Sequence, residues 1–283
     1  MPTPHPTLLI FDSGVGGISI ADEIRRALPQ CNLFYVADNA IFPYGTQEES
    51  VLVSRLVTLL PHLEQHARPD IIVIACNTAS TVVLEPLRAQ TRTPIIGVVP
   101  AIKPAGQLTQ NNSIALLATP GTVKRHYVQR LIEEFAPQCQ VVRVGSSELV
   151  HQAENKLRGL PVDTDLIARE LAPLLTGGTP PDTVVLGCTH FPLLRDEIQQ
   201  ALPAGIRLID SGDAIARRAR FLLQDWKPAT DTPPTTLNDN EFLFTADTEP
   251  ARQLAKRLHL HGFNKVHLIA NDITELAQKI RAT

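Results

Sequence analysis

Short apolar runs alternate with longer mixed stretches from the start of the chain to about residue 225. The apolar runs are of strand length and end in polar or turn-forming residues. They predict strands at Thr7–Phe11, Cys31–Ala37, Asp70–Ala75, Pro94–Val99, Ser113–Ala118, Gln140–Val144, Thr183–Leu186 and Ile206–Ile209. The intervening stretches predict helices at Ile18–Leu28, Gln47–Gln65, Thr78–Ala89, Val123–Phe135, Ser147–Leu157, Asp165–Leu175, Phe191–Leu202 and Asp213–Asp225. Such alternation predicts an α/β fold of mostly parallel sheets flanked by helices.

The pattern restarts at Ser113, so we expect two similar α/β domains. The predicted domains are residues 1–98 together with 212–283, and residues 99–211. Lys227–Asn240 is rich in Pro, Thr and Asp and predicts a linker. The tail after it, with a helix at Pro250–Leu260 and a strand at Lys265–Ile269, is too small for a domain of its own. We expect it to extend the first sheet, and we expect the active site in a cleft between the two sets of strand ends.

Composition and charge exclude several classes of protein. The chain has 283 residues, 43% hydrophobic and 19% charged, with a net charge of −3, so it can form a core and lacks a basic stripe for nucleic acid. No apolar run is long enough to span a membrane, and the N-terminus has no signal-peptide pattern. The four cysteines have neither the C-x-x-C spacing of a redox pair nor the spacing of a zinc site. We expect a cytoplasmic protein with reduced thiols, without a nucleic-acid or membrane partner.

One phrase occurs twice at strand ends. Pro-Asp opens the strands at Asp70 and Asp182, and a cysteine follows each aspartate by the same interval, at Cys76 and Cys188. A cysteine at a strand end is commonly inert packing. Here each thiol is followed by polar residues that open a predicted helix, and a helix N-terminus stabilises an anion such as a thiolate. Two such thiols in a repeated unit indicate catalysis.

Three chemistries suit a pair of thiols. Disulfide exchange is disfavoured by the absent C-x-x-C, and a metal site is disfavoured because Cys188 and His190 supply only two nearby ligands. The third is proton transfer at a stereocentre, which needs a base on one face of a carbon and an acid on the other. Asn77, Thr78 and Thr189 would then suit a substrate carboxylate.

The glycine-rich turn at Asp12–Gly17 supports a rival interpretation. Gly14 and Gly16 begin a dinucleotide fingerprint, although its third glycine position is Ser19, and Asp38 would be the ribose-binding acid. The chain would then be a nucleotide-binding or ligand-sensing module. Asp12 opposes this, since a carboxylate would repel a pyrophosphate.

In the thiol interpretation Asp12 assists one cysteine and His190 the other. The alternatives are that Asp12 caps a helix and that His190 is structural. Thr119 and Thr122 mirror the Asp12 region in the second unit, where they would donate hydroxyl groups or cap a helix. The stretch at 42–46 reads as a turn, and Glu148 and Glu154 are by default solvated helix residues.

Taken together and in order, the motifs FDSGVGG, YVAD-x-x-x-x-PYG, ACNTAS, LATPGT, LGCTHFPLL and IDSG resemble the glutamate racemases of the cofactor-independent aspartate/glutamate racemase superfamily. They run from Phe11 to Gly212. The histidine of C-T-H favours glutamate, because related aspartate racemases tend to carry an acidic residue there.

The resemblance implies two α/β domains and two catalytic thiols, Cys76 and Cys188, assisted by Asp12 and His190. The first thiol typically deprotonates the D-enantiomer and the second the L-enantiomer. Glu154 is the best match to the family's functional glutamate, with Glu148 the runner-up. The positions that match substrate contacts in the family are Ser13, Pro43, Tyr44, Gly45, Asn77, Thr78, Thr119, Thr122 and Thr189.

The resemblance also implies what surrounds the reaction. Glutamate would be the substrate, without cofactor or metal, and the D-glutamate formed would feed peptidoglycan synthesis in bacteria. Dimers are common in the family, and some bacterial members are activated by a cell-wall nucleotide-sugar precursor.

Overall fold

The computed structural model describes residues 5–176, 178–226 and 239–269. They fall into two compact units, the first within Met1–Val98 and Gly212–Thr283 and the second within Val99–Ser211. Most of the predicted linker at 227–240 lies outside the described residues. No helix in the described ranges is long and apolar enough to cross a membrane.

The first unit contains a parallel sheet of six strands within the described residues. Its strands are β1 (Thr7–Asp12), β2 (Asn32–Ala37), β3 (Ile71–Ile74), β4 (Ile95–Gly97), β9 (Glu241–Phe244) and β10 (Lys265–Leu268). Its helices are α1 (Ile18–Ala27), α2 (Glu49–Ala67), α3 (Asn77–Arg88), α10 (Gly212–Leu222) and α11 (Glu249–Ala255). The strand order is β10-β9-β2-β1-β3-β4, which confirms that the tail extends the first sheet.

The second unit contains a parallel sheet of four strands in the part that is described. Its strands are β5 (Ser113–Ala118), β6 (Gln140–Gly145), β7 (Thr183–Leu186) and β8 (Arg207–Ile209). Its helices are α4 (Ile102–Leu108), α5 (Pro120–Val123), α6 (His126–Phe135), α7 (Glu148–Leu157), α8 (Thr164–Leu171) and α9 (Arg195–Ala201). The order is β6-β5-β7-β8.

The two sheets repeat one topology. In both, the first strand lies between the second and the third, so the chain winds outward on either side of a topological switch point between β1 and β3, and between β5 and β7. Ligands of open α/β sheets bind at the carboxyl ends of strands at such a point. The backbone N–H of Ala75 donates to the Phe11 carbonyl at 2.7 Å, and that of Gly187 donates to the Leu117 carbonyl at 2.7 Å. The cysteines that follow Ala75 and Gly187 therefore occupy equivalent positions.

The other two cysteines also occupy equivalent positions in the two units. This second equivalence was not predicted from the sequence. Pro-Gln-Cys precedes β2 at Cys31 and β6 at Cys139. Burial raises the pKa of the Cys31 thiol to about 12, helped by the negative charge of Asp70. Burial likewise raises the pKa of Cys139, and Asp182 adds to the effect. This pair lies at the opening ends of the strands, away from the ends that carry Cys76 and Cys188.

Several predicted helices are broken or displaced. The predicted helix at 123–135 is two helices, because Arg125 has extended backbone between α5 and α6. Pro173 and Pro192 lie in 3-10 turns, Ala172–Leu175 and Phe191–Leu194, at the end of one predicted helix and at the start of another. Helix α4 was not predicted, because Pro104 and Gly106 within it are poor helix formers.

Candidate active site

Cys76 lies at the junction of β3 and α3. It is the N-cap residue of α3 and is 6% exposed, so its thiol faces the N-terminal end of that helix while nearly excluded from water. Its Sγ lies 3.8 Å from Oγ of Ser13, which follows the end of β1 on the adjacent strand. Parallel pairing of β1 with β3 therefore brings the two residues together, although 63 positions separate them.

Asp12 continues this contact. It is fully buried, and its Oδ1 accepts a hydrogen bond from Ser13 Oγ at 3.2 Å and from the backbone N–H of Gly14 at 2.9 Å. Ser13 thus connects the Asp12 carboxylate to the Cys76 thiol. Asp12 is not the N-cap residue of α1, because Gly17 occupies that position.

The features behind the nucleotide interpretation have structural explanations. A Cβ added to Gly17 would lie 2.7 Å from Oη of Tyr35, and that hydroxyl donates to the carbonyl of Gly14 at 2.9 Å. Gly17 therefore lets the turn pack against Tyr35. Asp38, the supposed ribose acid, is fully buried, and Arg55 donates to both of its carboxylate oxygens at 2.6 and 3.0 Å. A buried, paired carboxylate is not available to a ribose.

Cys188 has an imidazole beside it. The residue follows β7 and is 6% exposed, and its Sγ lies 3.8 Å from Nδ1 of His190. The other ring nitrogen, Nε2, lies 3.0 Å from Oε1 of Glu154 on α7. Burial by itself lowers the pKa of His190, but the hydrogen bonds to Cys188 and Glu154 and their charges outweigh it, and they hold that pKa well above its ordinary value. His190 therefore favours its protonated form between a thiol and a carboxylate.

The structure separates the two candidate glutamates. Glu148 starts α7 and is exposed, whereas Glu154 is half-buried and reaches His190. Lys156 lies on the same helix and donates to the carbonyl of Leu193 at 2.9 Å and to the carboxylate of Glu197 at 2.8 Å. These bonds fix α7 against the turn that follows His190.

The polar residues predicted to contact substrate are also at strand ends. Asn77, Thr78 and Thr189 are buried, and Oδ1 of Asn77 is a buried acceptor without a donor. Such an acceptor beside a thiol points to a ligand that donates hydrogen bonds. Thr119 caps α5, accepting from the backbone N–H of Thr122 at 3.2 Å, so the capping interpretation is confirmed for it.

The 42–46 stretch contains a 3-10 turn at Tyr44–Thr46. Pro43 and Gly45 are half-buried, whereas Tyr44 is buried and its hydroxyl donates to Oδ2 of Asp38 at 2.5 Å. Burial and the neighbouring Asp38 carboxylate raise the pKa of Tyr44 well above its usual value, so the phenol stays neutral. The partners Asp38 and Arg55 were missed as site residues, although Asp38 belongs to the YVAD motif.

In the described ranges, no three His, Cys, Asp or Glu side chains are grouped as a metal site requires. The chemistry-bearing side chains form two sets instead, one at the end of β3 and one at the end of β7. Each set joins a buried cysteine, through one intermediate side chain, to a carboxylate.

Comparison with known proteins gives consistent results. The family model for Asp/Glu/hydantoin racemases matches residues 18–219. A glutamate racemase from Klebsiella pneumoniae (strain 342) is 50% identical over 260 residues, which cover 92% of this chain and 90% of the relative. The crystal structure of Escherichia coli glutamate racemase in complex with L-glutamate and the activator UDP-MurNAc-ala has a TM-score of 0.88 at 48% identity, covering 94% of this chain and 99% of that one.

A more distant structure, isoform RacE1 of glutamate racemase from Bacillus anthracis, has a TM-score of 0.77 at 27% identity and covers 95% of this chain and 98% of that one. The match therefore extends beyond the strand-end motifs to nearly the whole chain. The chain belongs to the Asp/Glu/hydantoin racemase family, and within that family its relatives of about 50% identity are glutamate racemases.

Proposed function

We propose that this chain, as a glutamate racemase, interconverts L- and D-glutamate by a two-base proton transfer in which Cys76 and Cys188 act on opposite faces of the α-carbon. The observation that carries the proposal is the equivalence of the two cysteines at the ends of β3 and β7. Each is nearly buried and each contacts a side chain that leads to a carboxylate. Because inversion of a carbon requires a base and an acid on opposite sides, two equivalent thiols suit the reaction.

The proton balance of the reaction is simple. One thiolate takes the α-proton and becomes a thiol, and the resulting carbanion takes a proton from the other thiol, which becomes a thiolate. After one turnover the two protonation states have exchanged. His190 resets one of them, because an imidazolium beside Cys188 can deliver its proton to the Cys188 thiolate and recover it later. In this mechanism Glu154 stabilises the imidazolium of His190, and Asp12 assists Cys76 through Ser13.

Substrate binding uses the polar groups around the thiols. The unpaired Oδ1 of Asn77 accepts a hydrogen bond from the substrate ammonium group. Hydroxyl and backbone N–H groups at the helix starts bind the carboxylates. We assign this binding to the residues that also match the family's substrate contacts, namely Ser13, Pro43, Tyr44, Gly45, Thr78, Thr119, Thr122 and Thr189.

Exchange in D₂O tests the mechanism. Wild-type protein incubated with either enantiomer should incorporate deuterium at the α-carbon and lose optical activity. Cys76→Ala should not racemise, but the remaining Cys188 should still exchange the α-proton of L-glutamate with retention of configuration. Cys188→Ala should do the same for D-glutamate only. Cys31→Ala is the matched control, a cysteine just as buried but at the opposite end of its strand, and it should racemise normally.

Full racemisation by Cys188→Ala would contradict the two-base mechanism, and a folded wild-type protein that neither exchanges nor racemises would contradict the function. Thermal-shift measurements with NAD, ATP and D-glutamate test the nucleotide-binding alternative, which stabilisation by a nucleotide alone would favour.

Activation is a separate proposal. The E. coli enzyme was crystallised with the activator UDP-MurNAc-ala, and it shares 48% identity with this chain. We propose that the same compound raises the racemisation rate here. Rates measured with UDP-MurNAc-ala and with UDP alone should differ, and equal rates would contradict the proposal.

The cellular setting follows from the same family membership. We propose a cytoplasmic homodimer that supplies D-glutamate for peptidoglycan. Light scattering on the purified protein measures the oligomeric state. Growth of a D-glutamate-requiring bacterium that expresses this chain measures the supply, and Cys76→Ala should not support growth.

A further inference from the structure

Asp38 is a buried carboxylate with donors from three parts of the first unit. It lies just after β2 and is fully buried. Tyr44 Oη donates to its Oδ2 at 2.5 Å, and Thr245 Oγ1 donates to its Oδ1 at 2.6 Å. Arg55, on α2, donates to Oδ1 at 2.6 Å and to Oδ2 at 3.0 Å. A buried charge is tolerated when it is paired and hydrogen-bonded in this way.

Tyr44 connects this carboxylate to the site. Its ring packs against Phe11 at 6.5 Å between ring centroids, and both belong to the same buried cluster as Cys76. The 39–47 segment, residues Asn39 to Gln47, also carries Pro43 and Gly45. The position of this segment therefore decides where three of the proposed substrate contacts lie.

We propose that Arg55 and Thr245 are positioning residues for racemisation, which hold Asp38 so that it fixes Tyr44 and the 39–47 segment beside Cys76. The inference rests on the proposed function, which places Pro43, Tyr44 and Gly45 against the substrate. Neither Arg55 nor Thr245 touches the reacting atoms in this role. They act through Asp38.

The end of β9 contributes a second set of bonds to the same segment. Thr245 Oγ1 accepts from the backbone N–H of Ala40 at 3.2 Å while it donates to Asp38. Asn39 exchanges two bonds with the backbone of Ala246, at 2.8 and 2.9 Å. A strand from the C-terminal part of the chain thus holds the start of the 39–47 segment, and the Asp38 carboxylate holds its middle.

Two substitutions at position 245 distinguish the effect of the hydroxyl group from the effect of side-chain shape. Thr245→Val keeps the shape and removes both hydroxyl bonds, whereas Thr245→Ser keeps the hydroxyl. We expect Thr245→Val to raise KM for both enantiomers by roughly tenfold with kcat within about twofold of wild type, because binding of the substrate and of the transition state is weakened equally. Thr245→Ser should stay near wild type. Thr58→Val, which removes an exposed hydroxyl on α2 that donates to Ser54, is the matched control.

A purely structural role predicts a different result. Partial unfolding reduces the amount of active enzyme and so lowers the apparent kcat, but it leaves KM unchanged. Hydrogen exchange adds a readout that needs no activity: peptides covering the 39–47 segment should exchange faster in Thr245→Val and Arg55→Met than in wild type, Thr245→Ser or Thr58→Val.

An unchanged KM in Thr245→Val overturns the positioning role, whether or not hydrogen exchange in the segment is faster. An inactive wild-type protein would overturn the proposed function, and the positioning role with it. The two failures can be told apart, because a wrong proposed function shows as inactivity of the unsubstituted protein. Hydrogen exchange would still report whether Asp38 holds the 39–47 segment.

Discussion

The two proposed catalytic cysteines differ in the group beside them. Cys76 is next to the hydroxyl of Ser13, and Cys188 is next to the imidazole of His190. A serine hydroxyl cannot hold an extra proton near neutral pH, whereas an imidazole can. The raised pKa of His190 strengthens this difference. We therefore expect the proton on the Cys188 side to be stored beside the thiol, and the proton on the Cys76 side to be exchanged through Ser13 and Asp12.

The first prediction concerns the pair of His190 and Glu154. Because the folded pKa of His190 is raised, its protonation stabilises the folded state below the unfolded pKa, and this contribution is lost as pH rises through the folded pKa. Glu154→Gln removes the charge that supports the imidazolium. The loss of unfolding free energy relative to wild type should be largest below the unfolded pKa of about 6.5 and should shrink as pH rises through the raised folded pKa of His190.

Urea denaturation of both proteins across this range measures the difference. Glu148→Gln, an exposed position on the same helix, is the control and should show no such pH dependence. A Glu154→Gln difference that stays constant or grows with pH would contradict the assignment.

At the scale of the element, a tightly packed glycine, Gly187, connects β7 to Cys188. A Cβ added to Gly187 would lie 2.6 Å from Cδ1 of Leu116 and 3.2 Å from Cβ of Ala118. The equivalent residue in the first unit is Ala75, which is buried there with its methyl group. The two strand ends thus follow the same backbone path, but the first has room for a methyl group at this position and the second does not.

The second prediction follows from this packing. Gly187→Ala should lower the free energy of unfolding by about 1–3 kcal/mol, since the Leu116 side chain must move within a full core. It should also slow racemisation, because the strain lies one residue from Cys188. Chemical denaturation and the D₂O assay measure the two effects.

Gly178→Ala is the control, because Gly178 is exposed and its added Cβ would lie 3.3 Å from the Gln140 side chain at nearest. We expect it to change stability by less than about 0.5 kcal/mol. If Gly187→Ala behaved like Gly178→Ala, the packing argument would be wrong.

At the scale of the whole molecule, each unit has a core of its own. One buried cluster, which includes Ile102, Ile114, Leu116, Val128 and Val185, draws only on the second unit. Another, around β1, β3 and α2, draws only on the first. The sheet of the second unit is formed from one continuous stretch of chain, whereas the first unit uses the N-terminal and C-terminal parts.

The third prediction tests whether the second unit is an independent domain. A fragment of residues 99–211 should unfold in one cooperative transition, because its four-stranded sheet and the buried cluster around Ile114 and Val185 are formed by its own residues. It should not racemise glutamate, since it lacks Cys76. Thermal unfolding followed by circular dichroism, with the D₂O assay, measures both. A fragment without a cooperative transition would contradict the prediction.

Much of the fold and the two thiols could be predicted from the chain because their signals are local. Strands such as Thr183–Leu186 are continuous apolar runs, and the repeated Pro-Asp and Cys at 70 and 76 and at 182 and 188 lie within one strand and its loop. The helix breaks at Arg125 and Pro173 were not predicted, because the helical periodicity of the sequence continues across them.

Contacts between distant residues were decided only by the tertiary structure. Glu154 reaches His190 across 36 positions, and Thr245 reaches Asp38 across 207. Neither pairing can be predicted from the local sequence pattern, since each depends on which strands are neighbours and on how a helix packs against them. The sequence by itself determined the strands, most of the helices and the positions of the two candidate cysteines, because hydrophobic period and turn chemistry act over a few residues. Packing decided which hydroxyl, imidazole and carboxylate stand beside those cysteines, because hydrogen bonds are made only between groups that the folded chain brings within about 3 Å.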